Sequence, residues 1–342
     1  MRKQPIARAV FLLALAALSP GAAFCGSAVH GEPAAPVVSS IDVAALWRGA
    51  ANVASRELFY GCGGEAHQPH GTFTFVKEDL DGTNPKFVVR DDDGVEWRVK
   101  LGAEARPETV ASRLVWAAGY YANEDYFLSV IRVAHLPRLK RGANLVQADG
   151  SLCDVVLKRY LDGEKKIANW RWRDNPFCGT RELNGLRVLM ALINNWDLTD
   201  ENNAIYRETR SAPPAIYMVS DVGSTFGASA LTWPLSKARG NLSSYRHSIF
   251  IRKVTPGHVD FGAPHRDSLF FLFTPREFSQ KLHLEWIGRH VPREDARWMG
   301  QILAGLSPDQ VRDAFRAAGY SPVEVAGFAT AVLARIDQLK RL

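Results

Sequence analysis

The sequence predicts an α+β fold of two lobes, a small antiparallel sheet followed by a mainly helical half, on three observations. Between positions 71 and 100, apolar and polar residues alternate in three short runs separated by Asp/Gly/Asn turns, the pattern of strands with one buried face. From position 180 onward, several apolar stretches recur at helical spacing behind Thr, Ser and Pro start signals. The 342 residues, 46% of them hydrophobic, suit one large domain built as two lobes.

Residues 1–25 read as an export signal, which places the mature chain in the periplasm or outside the cell. Arg2, Lys3 and Arg8 flank the apolar run from Ala9 to Leu18, which is too short to span a bilayer, and small residues follow at Gly21-Ala22-Ala23. Phe24 stands where a small residue is expected before a lipidated cysteine, which argues against a lipoprotein at Cys25. Loss of the signal removes three basic residues and no acidic one, reducing the net charge from +6 to +3. That balance gives no reason to expect nucleic acid or an anionic membrane as partner. No later stretch is apolar for long enough to form a transmembrane segment.

Residues 26–40, rich in Gly, Ala, Pro and Ser, read as a flexible leader. Cys62, Cys153 and Cys178 remain, an odd number that argues against a full disulfide framework and leaves room for one bridge. Cys62 lies near His67 and His70, but this set lacks the ligand number and spacing of a zinc site.

The first lobe covers residues 41–160. A helix from Ile41 to about Leu58 is expected from Val43, Leu46, Trp47 and Val53. Strands follow at Gly71–Val76, Lys86–Arg90 and Val95–Lys100, with turns at Asp81–Asn84 and Asp91–Gly94; the Asp run is a turn rather than a metal site. Pro107 and Glu108 open a helix that runs to Gly119. Strands at Tyr126–Val133 and Asp154–Arg159 complete the lobe, and Tyr160–Gly163 connects it to the next.

The second lobe covers residues 161–342. Trp170-Arg171-Trp172-Arg173 packs stems and rings over a core edge. Thr180 starts a helix from Arg181 to Asn194, and a hairpin pairs Asn203–Tyr206 with Ile216–Ser220. The loop from Gly223 to Arg252 carries the basic residues Lys237, Arg239, Arg246 and Arg252, with Lys253 just beyond. Further helices are expected at Pro275–Ile287, Pro292–Leu306, Pro308 to Gly319, and from a capping box at Ser321 to Leu342.

The chemistry concentrates between Asn194 and Gly223. Asp197 is followed five positions on by Asn202, and Asp221 ends an apolar run shortly before Gly223. Each is alone an ordinary turn residue. Their order matches what phosphoryl transfer needs: a carboxylate to take the acceptor proton, an amide for a metal ion, and a carboxylate between metal and nucleotide phosphates. Upstream, Lys100 ends the third strand and Glu108 opens the next helix.

On these residues the chain resembles the protein-kinase-like superfamily, in particular the lipid-kinase and HipA-type branch, whose Asp-x-x-x-x-Asn loop lacks a preceding His-Arg. The resemblance covers about Gly71 to Gly227. It implies a bilobal protein-kinase-like fold, with ATP and Mg²⁺ or Mn²⁺ as cofactors. It further implies that Lys100 clamps phosphates, that Glu108 or alternatively Glu104 positions Lys100, that Asp197 is the catalytic base, and that Asn202 and Asp221 are metal ligands. The chain departs from the pattern in lacking a Gly-x-Gly-x-x-Gly loop, since only Gly82 lies between the first two strands.

Asp260-Phe261-Gly262 and His265-Arg266-Asp267 spell familiar kinase triplets, but in reversed order and too close together to form one site; they are coincidence. The expected function is an exported phosphotransferase acting on a hydroxyl of a protein, lipid, sugar or small molecule, with nucleotidyl transfer also open. The alternative is a pseudokinase-type nucleotide-binding or scaffold protein without transfer activity.

Overall fold

The computed structural model describes residues 42–342 apart from 83, 162, 196, 209–214, 228–238 and 263–285. The expected signal and leader, most of the helix expected at 275–287, Lys237 and the His265-Arg266-Asp267 triplet lie outside the described residues.

Five strands form a closed barrel: β1 (Phe73–Asp79), β2 (Lys86–Arg90), β3 (Glu96–Leu101), β4 (Asp125–Ala134) and β5 (Ser151–Arg159), in the spatial order β1-β2-β3-β5-β4. Strand alternation fills the interior. Trp97, Val99 and Leu101 of β3 and Val155 and Leu157 of β5 point inward with Phe73, Phe87 and Val89. The intervening residues, Lys100 of β3 and Val156 and Lys158 of β5, therefore face outward, toward the side covered by helix α1 (Ala105–Ala117). Closure comes from a short parallel pairing of Phe73 with Val133 and Thr74 with Ala134, and β1 carries an irregularity between Phe75 and Lys77. The three-stranded sheet expected from the sequence is thus part of a larger closed structure.

The Asp91–Gly94 turn is held by one carboxylate. Asp91 accepts the backbone N–H groups of Asp93 and Val95 on Oδ1 and the buried Trp97 indole N–H on Oδ2 at 2.7 Å. Removing it would strand a donor inside the barrel. Asp91→Ala is expected to lower unfolding free energy by about 1–3 kcal/mol in denaturant titrations.

The helix expected over 41–58 is not formed. Two short 3-10 turns, Val43–Ala45 and Val53–Ser55, stand in its place. Gly49 has φ of 90° and Asn52 of 59°, left-handed values that no α-helix accommodates. Trp47 instead bridges to Tyr120, and the Arg48 N–H donates to the Gly119 carbonyl at 2.9 Å. Leu46, Val53 and Leu58 are buried all the same, so the apolar spacing reflects contact with the core rather than helical geometry.

After β6 (Glu164–Ala168), helix α2 (Arg181–Leu192) starts on a Thr180 cap, its hydroxyl accepting the Leu183 N–H. It is buried along nearly its whole length. The hairpin β7 (Asn203–Glu208) and β8 (Ile216–Val219) pairs Asn203 with Val219 and Tyr206 with Ile216, and β6 joins it as a third strand. Trp170 and Trp172 are buried beside it, and Trp170 donates to the Met218 carbonyl.

The remainder includes α3 (Leu242–His247), a sheet of β9 (Ile251–Val254), β10 (His258–Phe261) and β11 (Val291–Pro292), and helices α4 (Arg293–Leu303), α5 (Pro308–Ala317) and α6 (Pro322–Lys340). Both Ser307 and Ser321 form capping boxes, with Gln310 and Glu324 respectively. The helices share one core, centred on α2, in which Phe226, Tyr245, Phe315 and Phe328 stack edge to face or in parallel.

Candidate active site

Outward-facing Lys100 meets the first turn of α1. Glu104 sits at the N-cap position and Glu108 one turn later, so their side chains emerge on one face. Two carboxylates so placed repel each other unless a cation lies between them. Lys100 Nζ supplies it, 3.1 Å from Glu104 Oε2 and 3.0 Å from Glu108 Oε2, with the Glu108 side chain fully buried. A third carboxylate, Asp221, reaches the same ammonium at 2.9 Å. An ammonium has three protons, and these three carboxylates match that number. Burial alone would lower the Lys100 pKa; Glu108, Asp221 and Glu104 together hold it well above the ordinary lysine value.

The β7–β8 hairpin delivers Asp221. Its last pair, Asn203 with Val219, leaves Asn202 beside Ser220, and the Asn202 carbonyl accepts the N–H groups of Ser220 and Asp221 at 2.9 and 3.2 Å. Asp221 Oδ1 also accepts the Gly223 N–H at 3.2 Å. Burial would raise the Asp221 pKa; Lys100 and Lys158, with the hydrogen bonds from Lys100 and Gly223, outweigh it and hold the group below the carboxylate range. The Asp221 side chain keeps 36% accessibility despite these contacts, unlike Glu104 and Glu108.

Asn202 donates its amide nitrogen to the Asp197 carbonyl at 2.7 Å, and the Asp197 N–H donates to Asn195 Oδ1 at 3.1 Å. These bonds shape the loop through the Asp197 backbone and use the amide nitrogen, not the amide oxygen, of Asn202. Glu104, Glu108 and Asp221 each offer a carboxylate oxygen within 4.8 Å of the other two. Lys100 Nζ already occupies the space between these three, and only Asp221 of them is not buried, so as the structure stands the trio holds an ammonium rather than a divalent ion. The expected metal pair, Asn202 and Asp221, touch through Asn202's backbone carbonyl.

Lys158 is the residue that sequence reasoning missed. It forms an ion pair with Glu108 Oε1 and donates to the Ser220 carbonyl at 3.0 Å, tying α1 to the strand end that carries Asp221. Asp125 pairs in register with Lys158 and is fully buried. The only hint was a lysine directly after the apolar run Val155-Val156-Leu157, and strand alternation does not say which face is occupied by a helix.

Burial pushes the Asp125 carboxyl up to about 6, against the pull of Lys158 and Arg113 and with the repulsion of Glu108. A native pKa above the unfolded value gives stability that is complete below the unfolded pKa of 3.8 and is lost as pH rises through about 6. Relative to Asp125→Asn, the natural chain is therefore expected to lose stability between about pH 4 and 6 and to level off above. Paired urea titrations across that range measure the difference; a flat difference would contradict this assignment.

Other residues singled out in the sequence lie elsewhere or serve other roles. His67 contacts Glu124 and Arg159, and His70 contacts Asp93, so neither joins Cys62. All three described cysteines are free, and burial pushes the Cys62 thiol up to about 12. Asp260 accepts the His290 N–H at 2.8 Å from within β10, a structural use of that residue.

No family model matches the sequence, and no curated protein matches it. Among solved structures, the chain is similar to the Helicobacter pylori proinflammatory kinase CtkA, at 12% identity and a TM-score of 0.47, over 80% of this chain and 97% of that one. It is also similar to the Golgi casein kinase with Mn/ADP bound, at 10% identity and a TM-score of 0.37, over 80% of this chain and 72% of that one.

Proposed function

We propose that this protein is a metal-dependent, kinase-like phosphotransferase that moves a phosphoryl group from ATP to a hydroxyl acceptor. One observation carries the reading: a buried lysine on a barrel strand contacts both Glu108 of the adjacent helix, at 3.0 Å, and Asp221 at the end of the hairpin, at 2.9 Å. That three-way contact supports reading Lys100 as a phosphate-binding cation, Glu108 as its positioning acid and Asp221 as a metal ligand. Asp197 and Asn202 belong to the loop bonded to that same strand end.

In this reading Lys100 orients the nucleotide phosphates and Glu108 holds Lys100 in place. Asp197 accepts the proton of the attacking hydroxyl. Mg²⁺ or Mn²⁺, held by Asp221 and the Asn202 amide oxygen, would neutralise charge on the phosphates. Barrel and helical half form the two lobes of a bilobal kinase-like chain, and residues 1–25 direct it out of the cytoplasm. Among the described residues no helix is long and apolar enough to cross a membrane.

A second reading, nucleotide binding without transfer, has one observation in its favour: three carboxylates surround the Lys100 ammonium. Thermal-shift titration with ATP and Mn²⁺ followed by incubation with γ-labelled ATP separates the two. Stabilisation with label transfer supports the phosphotransferase, stabilisation without transfer to any acceptor class supports the second reading, and no stabilisation removes both.

A further inference from the structure

Glu104 is surrounded as a phosphate would be. Its Oε2 accepts from Lys100 Nζ at 3.1 Å and from the Asn84 side-chain amide of the β1–β2 turn. Its Oε1 accepts from the Arg239 guanidinium at 2.8 Å and from Ser224 Oγ at 3.2 Å. Four donors from four separate segments thus converge on one carboxylate that is only 3% exposed. A carboxylate offers about four lone-pair positions, so this one is fully engaged. The chain also makes room for it: a Cβ on Gly223 would lie 2.9 Å from Glu104 Cβ and 3.1 Å from its Oε2.

Two cations, an amide and a hydroxyl form a donor set suited to a multiply charged oxyanion. For positioning Lys100, Glu104 is redundant, because Glu108 and Asp221 already hold that ammonium. Glu108 is moreover fixed from behind by Lys158.

We propose that Asn84, Lys100, Ser224 and Arg239 form a phosphate subsite that Glu104 fills as an internal competitor. An incoming phosphate group takes these donors and turns the Glu104 carboxylate out. Asn84, Lys100, Ser224 and Arg239 then donate to the ligand instead of to the protein's own acid. The inference rests on the nucleotide-binding reading above, but its ligand class, a di- or triphosphate, is testable without a nucleoside or a metal.

The test is calorimetric titration of the full chain and of Glu104→Ala and Glu104→Gln with sodium pyrophosphate, free of divalent metal. Both variants are expected to bind at least about tenfold tighter than the natural chain, since apparent affinity scales with the fraction of molecules whose donors are uncovered. Adding Ser224→Ala to Glu104→Ala is expected to give back about fivefold of the gain, the effect of one hydrogen bond. Thermal melts establish that each variant is folded, and Glu104→Gln, which keeps the side-chain volume, serves if the alanine variant is not.

Equal or weaker pyrophosphate binding by the folded variants overturns the proposal, and so does a gain indifferent to Ser224. A parallel titration with ATP and Mn²⁺ separates the two levels of inference. If the variants gain pyrophosphate but no form binds the nucleotide, the competitor stands and the phosphotransferase reading falls. If the natural chain binds the nucleotide and the variants gain nothing, the reverse holds.

Discussion

Lys100→Met is expected to destabilise the protein by about 3–5 kcal/mol, the usual cost of removing one partner from a buried ion cluster. The reason lies in the surroundings rather than in the lysine. Glu104 and Glu108 are 3% and 0% exposed, and with Asp221 they converge on Nζ within 3.1 Å. Methionine fills similar volume but leaves these negative charges facing one another. Lys158 still pairs with Glu108, and Arg239 with Glu104, which places the expected loss toward the lower end of that range. Because Lys100 keeps Asp221 ionised, the loss should shrink as pH falls and the remaining carboxylates take up protons. Denaturant titrations at neutral and acidic pH check both statements. A loss below about 1 kcal/mol at neutral pH would place this pair with weak surface bridges instead.

Asp197→Ala is expected to cut phosphoryl transfer by about 10²–10⁴-fold, the range for loss of a general base, with little change in affinity for ATP and Mn²⁺. The separation of effects has a structural basis. The loop is held through the Asp197 carbonyl, which accepts from Asn202, and through its N–H, which donates to Asn195. Alanine keeps both groups. Asn202 and Asp221 therefore retain their backbone connection, and only the carboxylate is lost. Transfer rates with labelled ATP, set beside calorimetric affinity, give the two numbers. Transfer at the natural rate would remove Asp197 from the mechanism, and an equal fall in affinity would make its role structural.

The secondary structure was legible wherever local chemistry decides it. The alternating strands lie within three residues of where the sequence puts them, and the Thr180 cap, the helix start at Ser307-Pro308 and the Ser321 capping box fall at the expected residues. The helix expected over 41–58 shows the limit. Its apolar spacing suggests a helical period, yet Gly49 and Asn52 take left-handed conformations and the segment bonds to Gly119 and Tyr120 instead. The sheet of β9, β10 and β11 is not read from the sequence: its strands are four, four and two residues long, and β11 pairs with β10 from about 30 positions away, 259 to 291.

The candidate site divides in the same way. Lys100, Glu108, Asp197, Asn202 and Asp221 are singled out by residue order together with a family resemblance, and the structure brings Lys100, Glu108 and Asp221 into contact and links Asn202 to the backbones of Asp197 and Asp221. Tertiary structure alone decided that β1 closes against β4, that Lys158 stands behind Glu108, and that Asn84, Ser224 and Arg239 meet on Glu104. Those contacts join residues up to 135 positions apart, 104 to 239. A strand's period of two states that Lys158 and Val156 share a face; only the packing of a distant helix on that face turns a lysine into the partner of a buried acid.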